Sequence, residues 1–434
     1  MSGLICKIVG KKRLSCLYTI VKSKAAIFIS GLTKELRNAH FFPIFSFFLA
    51  IYLYITICLC KLPNTYSYNG KYMSVPNALP AVGFPFAISL KQFSILISIQ
   101  FLVSCIICKN EKKNVNILLI LFNALLRFLF SMHLPPSLTD IYRNEVYGEL
   151  SLRGYNPYVT YLDPTIPFLK EYEASGLPAL WSNFPYVYPT FALGFFSFFC
   201  LLFPGYGYCQ ETFLLFALSI FDIFAAVLIS KIHIDATYKY AVMYVYFSPA
   251  LLMALEGQFE SLANFLLVLS YFFLTQRMEV RSAITLALSV QTKFFPIALL
   301  PKVVQDTRHR KKYLSVFLLF TSSMAIPYFI SPEYFWYFRT MIFGNVSSYF
   351  PWLSMLAWAF VAIGILATIT KKNLLYFSIS IIFGVLCLSG WVMPWHSLWL
   401  MPTIFFLIRN DEDFSMTLIF YLFVTFLYVY LQIA

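Results

Sequence analysis

The chain has 434 residues, of which 60% are apolar, 20% aromatic and only 12% charged, with a mean hydropathy of +0.74. Water-soluble domains carry roughly a quarter charged residues, so an ordinary soluble globule is excluded, and apolar runs recur so continuously that no separate soluble core fits between them. A formal charge of +13, from 32 Lys and Arg against 19 Asp and Glu, would suggest nucleic acid in a soluble protein. Here the charges fall between apolar runs, where they report cytoplasmic loops and contact with anionic lipid, so no nucleic-acid partner is expected.

Residues 1–40 carry Lys7, Lys11, Lys12, Arg13, Lys22, Lys24, Lys34 and Arg37 against the single acid Glu35. This basic segment reads as cytoplasmic and membrane-hugging; the first long apolar run starts too late for a cleaved signal peptide. Two N-terminal spans follow within 41–114, at about 41–60 and 92–109. The remainder, 115–434, reads as one transmembrane catalytic domain with spans at about 115–133, 187–204, 212–230, 238–255, 259–275, 282–302, 313–331, 353–370, 374–392, 395–408 and 415–433. The fold class is therefore an all-α polytopic membrane protein of about 11–13 transmembrane helices. Basic loops at Lys109 to Lys113, Arg308 to Lys312, Lys371 with Lys372, and Arg409 place those connections in the cytoplasm. Lys293 and Pro296 interrupt 282–302, which is expected to be short or re-entrant, since irregular backbone at membrane depth is tolerated beside a cavity.

The longest hydrophilic stretch within the core, 134–186, falls outside and is expected to carry short interfacial helices. Asp140, Glu145 and Glu149 share helical spacing, so carboxylates could line one face of such a helix. One of them could act as a general base on a hydroxyl at the lipid boundary; a solvated amphipathic helix would give the same pattern. Next come Arg153-Gly154-Tyr155-Asn156-Pro157-Tyr158 and Tyr186-Val187-Tyr188-Pro189. Gly and Pro turn the chain, and tyrosines give a sugar or prenyl phosphate both an apolar face and a hydroxyl. An aromatic interfacial belt is the alternative.

Further along, Gln258 and Glu260 could bind sugar hydroxyls or cap a helix beginning near Ser261. Lys293, costly inside a span unless paired, is a candidate cation for a phosphate, with Arg339 as its rival because a guanidinium fork suits phosphate. Trp395 and His396 sit at an external corner. Asp222, inside an apolar run, reads as structural and distant from the outer face. The 9 cysteines fall mainly in apolar runs as small hydrophobes, and the CxxC of Cys105 and Cys108 lacks a second pair or a nearby His, so no metal site is expected. Asn345-Val346-Ser347 is a glycosylation sequon on a predicted outer loop.

In order, Asp140, Gly154 to Tyr158, Tyr188-Pro189, Asp222 in FDIFAAVLI, SPALLMALEGQFESLANF, ALSVQTKFFPIALLP and VMPWHSLWLMP resemble the membrane glycosyltransferases of the GT-C superfamily over about 115–408. The resemblance is to the polyprenyl-phosphate-mannose-dependent transferases of glycosyltransferase family 87 and to the first mannosyltransferase of GPI-anchor synthesis. It implies a GT-C-like bundle in which a carboxylate of the first external loop is the catalytic base, here Asp140 with Glu145 in reserve. The GPI enzymes have two acids one residue apart at this place; this chain has Asp140-Ile141-Tyr142, a departure that weakens a metal-binding reading.

The expected function is inverting transfer of a hexose, mannose foremost, from a polyprenyl- or dolichyl-phosphate sugar to a lipid-linked or glycan acceptor on the outer or lumenal face. One base takes the acceptor proton, and a cation steadies the departing phosphate. The expected donor- and acceptor-binding residues are Arg153, Tyr155, Tyr158, Tyr188, Gln258, Glu260, Lys293, Arg339, Trp395 and His396. No cofactor is required, although the chemistry admits a divalent cation. The alternatives are a transporter or flippase of lipid-linked sugar, or a non-catalytic subunit of a glycolipid-processing complex. The host membrane would be the plasma membrane in a prokaryote or the endoplasmic reticulum in a eukaryote.

Overall fold

The computed structural model describes residues 112–133, 140–160, 162, 166–169, 185–204, 208–246, 259–329, scattered positions between 361 and 399, and 401–407. Chain contacts divide the protein at Leu53, and every described residue lies in the unit Tyr54–Ala434. Among the described residues the secondary structure is helical, without strands: α1 Lys113–His133, α2 Asp140–Leu152, α3 Thr190–Leu202, α4 Tyr208–Ile232, α5 Lys239–Tyr246, α6 Glu260–Thr275, α7 Glu279–Val290, a 3-10 turn Phe295–Leu299, α8 Leu300–Asp306, α9 Arg310–Phe329 and α10 Met401–Leu407. Of these, only Phe213–Ile232 within α4 is long and apolar enough to cross a membrane by length and composition. The expected spans at 41–60, 92–109 and 415–433 lie outside the described residues, and those at 353–370 and 374–392 almost wholly so.

Two helices, α1 and α4, expose large apolar residues while burying polar ones, the reverse of a soluble protein's surface helix. On α1, Asn116, Asn123 and Arg127 recur at i, i+7 and i+11, one stripe, and all three are fully buried. Leu118, Leu121 and Leu125 recur on the opposite stripe at i, i+3 and i+7 and are 52–63% exposed. α4 repeats the pattern, burying Ser219, Asp222 and Ser230 while exposing Phe213 and Phe224.

Three helices run side by side in a ladder whose rungs fix their directions. Ser270 of α6 donates to the Ser282 carbonyl of α7 at 2.8 Å, and the Ser282 hydroxyl lies 3.3 Å from that of Tyr313 on α9. Ser289 donates to the Ala263 carbonyl at 2.7 Å, and Lys293 pairs with Glu260. α6 and α7 are thus antiparallel, while α9 runs with α7. Between them the chain returns: Asp306 accepts from the Tyr271 hydroxyl at 3.2 Å, and Arg308 N–H donates to the Glu279 carboxylate at 2.7 Å. The expected span 282–302 is therefore broken at 291–294 into an outgoing α7 and a returning piece of 3-10 turn plus α8. Pro296 begins the return, where a missing N–H costs nothing.

The expected crossing at 187–204 needs correction. α3 has 13 residues, about 20 Å at 1.5 Å per residue, short of the ~30 Å hydrocarbon thickness. Its start meets Gln291 and its end stacks Phe203 on Phe213 at 5.0 Å. α2 is the helix expected in the 134–186 loop, and it packs along α3. A Cβ added at Gly148 would sit 2.9 Å from the Phe196 carbonyl carbon and from Ser197 N, so only glycine permits this approach. α2 ends in a Schellman turn: Gly154 adopts φ +83°, its N–H bonds to the Ser151 carbonyl, and Tyr155 N–H bonds to the Leu150 carbonyl.

The opposite end of the ladder collects exposed cations. Arg277 and Arg281 flank the α6–α7 turn, and Arg308, Arg310, Lys311 and Lys312 flank the α8–α9 turn, all exposed. The Glu279 carboxylate joins the two turns by accepting from the N–H groups of Arg308 and His309, with the His309 ring 3.0 Å away. Partial burial works to raise the Glu279 pKa, but these donors together hold it below the ordinary carboxylate value. On the neighbouring helices, His233 Nε2–H donates to the Phe405 carbonyl at 2.7 Å. Burial lowers the pKa of that imidazole and keeps it neutral.

Candidate functional site

The site forms where the 291–294 turn meets the loop after α2. The loop is built by its own sequence: Asn156 Oδ1 accepts from Tyr158 N–H at 3.1 Å, and Tyr186 N–H donates to the Pro157 carbonyl at 2.9 Å. The buried Tyr158 hydroxyl donates to the Tyr188 carbonyl at 3.1 Å. Burial pushes that phenol well above its ordinary pKa, so it stays a neutral donor. Tyr158 and Tyr188 each pack edge-on against Tyr186, with centroids 5.8 and 5.7 Å away. Gly154 to Tyr158 thus acts as a scaffold that holds Tyr188 in place.

The Tyr188 ring is the centre of the arrangement. Phe259 meets it at 4.7 Å and 88°. Lys293 Nζ lies 5.3 Å from its centroid and 4.5 Å from that of Phe259, and the Arg143 guanidinium lies 5.8 Å from it. Cations within about 6 Å of a ring face gain electrostatic attraction, more so when desolvated. Both cations are buried, Lys293 to 6% and Arg143 to 9% exposure. Lys293 is matched by Glu260, the first residue of α6, which is fully buried. One oxygen of that carboxylate takes Lys293, and the other, Oε2, has no hydrogen-bond partner among the described residues. The arrangement offers an aromatic face, two cations and one acceptor oxygen, the inventory needed to seat an amphipathic phosphate ester.

Gln291 ties the site to its surroundings. Its carbonyl accepts the N–H groups of Phe191 and Ala192, capping the start of α3. Its side-chain amide donates to the Thr321 carbonyl and to the Tyr328 hydroxyl at 3.0 and 2.9 Å. Phe295, just beyond the turn, stacks on Trp399 at 4.9 Å and 5°, so Trp399 reaches the same place.

The two later carboxylates of α2 differ in environment: Glu145 is buried, with its carbonyl taking the Cys200 thiol at 3.3 Å, whereas Glu149 is partly exposed and pairs with Arg153 at 2.8 Å. Arg153 and Tyr155, expected to bind donor or acceptor, sit on the exposed surface, Arg153 over Phe168 at 4.7 Å. Glu260 makes no side-chain cap; the residue before α6 is Phe259. Asp222 is not remote, because its Oδ2 accepts from Ser261, the neighbour of Glu260, at 3.0 Å. Asp140 opens α2 but its side chain lies outside the described residues, as do Gln258, Arg339, Trp395 and His396.

Two residues escaped the sequence reading. Arg143 was hidden among the loop's other charges. Arg127 is a lone cation inside an apolar run, a signal that already marks function or pairing. Among the described residues no group of three His, Cys, Asp or Glu is placed to hold a metal. No family model matches the chain, and no curated protein and no solved structure matches it either.

Proposed function

We propose that the protein is a polytopic membrane glycosyltransferase that moves a hexose from a polyprenyl- or dolichyl-phosphate sugar to a lipid-linked or glycan acceptor. The inverted helices α1 and α4 support placement in a membrane: leucines face outward along α1 while Asn116, Asn123 and Arg127 face inward. The observation that carries the function is the convergence on Tyr188. Lys293 and Arg143 flank its ring, Glu260 offers an oxygen, and α2 begins at Asp140, the residue that the GT-C resemblance makes the base. In this reading the cations hold the donor phosphate, Tyr188 and Phe259 pack on the sugar or the first isoprene unit, and the carboxylate accepts the proton of the attacking hydroxyl.

A carrier of lipid-linked sugar is the second reading. The broken helix at 291–294 and the ion pairs buried among apolar helices are features that transporters share. The test is transfer of radiolabelled mannose from polyprenyl-phosphate mannose to endogenous acceptors in membranes expressing the wild type or Asp140→Asn. Label moved by the wild type and lost, at equal protein level, in the variant supports the enzyme and its base. Undiminished transfer in the variant removes Asp140 and brings Glu145 forward. No transfer in either, with several donors tried, shifts belief to the carrier or subunit.

A further inference from the structure

We infer that Arg127 and Asp222 are the positioning pair of this site: through Ser261 they set the first turn of α6, and so fix where Glu260 holds Lys293. The chain of contacts is continuous. Arg127 is fully buried, and three of its nitrogens are engaged. Nε donates to Asn123 Oδ1 at 2.7 Å, Nη1 to the Ser219 carbonyl at 3.2 Å and to Asp222 Oδ2 at 3.1 Å, and Nη2 to the Val245 carbonyl at 3.2 Å. The guanidinium is thereby fixed to α1, α4 and the end of α5 at once. The same Asp222 oxygen accepts from Ser261 Oγ at 3.0 Å. Ser261 directly follows Glu260, and both are fully buried.

No side chain at the cap position bonds the first turn of α6: Phe259 accepts from the Leu262 and Ala263 N–H groups through its carbonyl alone, so the local sequence leaves the start of the helix weakly specified. The Ser261 bond supplies that definition from outside the helix. A role in bulk stability explains the pair poorly, because buried ion pairs can often be replaced by apolar residues of similar volume without loss. An apolar pair, however, would give Ser261 nothing to bond on α4, and the first turn of α6 could shift relative to that helix. The carboxylate of Glu260 would move with it, taking Lys293 away from Tyr188.

The placement follows from geometry alone; its consequence for transfer rests on the glycosyltransferase reading. The experiment uses the full-length protein, purified in detergent and labelled briefly with acetic anhydride, with lysine acetylation quantified by mass spectrometry. Lys302, half-buried and paired with Asp306, is the internal reference. Ser261→Ala is expected to raise the Lys293 labelling rate about fivefold or more, the scale of one lost buried hydrogen bond, with Lys302 unchanged. Ser261→Thr, which keeps the hydroxyl, should restore protection. Arg127→Met combined with Asp222→Leu should expose Lys293 as Ser261→Ala does, without lowering the thermal midpoint.

Protection of Lys293 at the wild-type level in both Ser261→Ala and the double variant overturns the inference. So does a parallel rise at Lys302, which would report general loosening. Where membranes transfer label, Ser261→Ala should lower kcat/KM about tenfold, with Ser261→Thr restoring it. If wild-type membranes transfer nothing, the labelling still decides the positioning role, and it is the enzyme reading that falls.

Discussion

The two ends of the α6–α7–α9 ladder handle positive charge in opposite ways. Around Tyr188, Lys293 is buried, matched by Glu260 and set against aromatic rings. At the α6–α7 and α8–α9 turns the cations are numerous and exposed, and Glu279 joins the two turns chiefly through backbone N–H groups. A buried charge is tolerated only with a fixed partner, so its geometry is specified; an exposed charge is screened, and its exact position matters little. The first kind of charge can build a site, and the second can orient a protein relative to an anionic surface.

The largest effect should come from breaking the buried pair. Lys293→Met leaves the Glu260 carboxylate buried without a cation and should cost about 3–5 kcal/mol, whereas Lys311→Met or Lys312→Met should stay within about 0.5 kcal/mol. Thermal unfolding of the detergent-solubilised protein measures both, and equal shifts would erase the contrast. Adding Glu260→Leu to Lys293→Met should recover most of the loss. Next in size is Gly148→Ala, expected to cost about 1–3 kcal/mol by forcing α2 away from Phe196 and Ser197. Hydrogen exchange should then rise in α2 and α3 but not at the start of α7; a uniform rise would show that the two ends are not separable.

The smallest effect concerns Glu279. Its pKa is held below the ordinary carboxylate value in the folded state, so it binds a proton less readily there than in the unfolded chain. Its stabilising contribution is present above the ordinary value and is lost as pH falls through the folded one. Glu279→Gln should flatten the acid limb of the thermal midpoint between about pH 6 and pH 3 and lower the neutral midpoint slightly, by the contribution that the wild type loses in acid. An unaltered acid limb would show that the clamp between the two turns contributes nothing to folding.

Much of this organisation was legible in the sequence. The helix in the 134–186 loop, the turn at Gly154 to Pro157 and the break at Lys293 and Pro296 follow from local chemistry, because Gly, Asn and Pro restrict the backbone wherever they stand. Tyr188 and Lys293 could be named as candidates, but their meeting could not, since it depends on a turn and a loop about 100 residues apart. The sequence says less where burial decides. Glu145 and Glu149 have the spacing of one face, yet Glu145 is buried while Glu149 is partly exposed. Asp222 looked remote because a list of spans carries no depth; Ser261 brings it beside Glu260. Arg153 and Tyr155 lie next to Tyr158 in sequence, but the Schellman turn at Gly154 separates them from it.

The cap on α3 has a consequence for how the chain is made. Phe191 and Ala192 give their N–H groups to the backbone carbonyl of Gln291, which the ribosome adds about 100 residues later. At synthesis rates of roughly 5–20 residues per second, the first turn of α3 waits about 5–20 s for its acceptor. During that interval its amides need another partner, such as water or a chaperone. Because the acceptor belongs to the main chain, no side-chain replacement at 291 removes it. A fault in this joint would arise from delayed folding of the 279–306 hairpin, and slowing translation between α3 and α7 would be the way to provoke it.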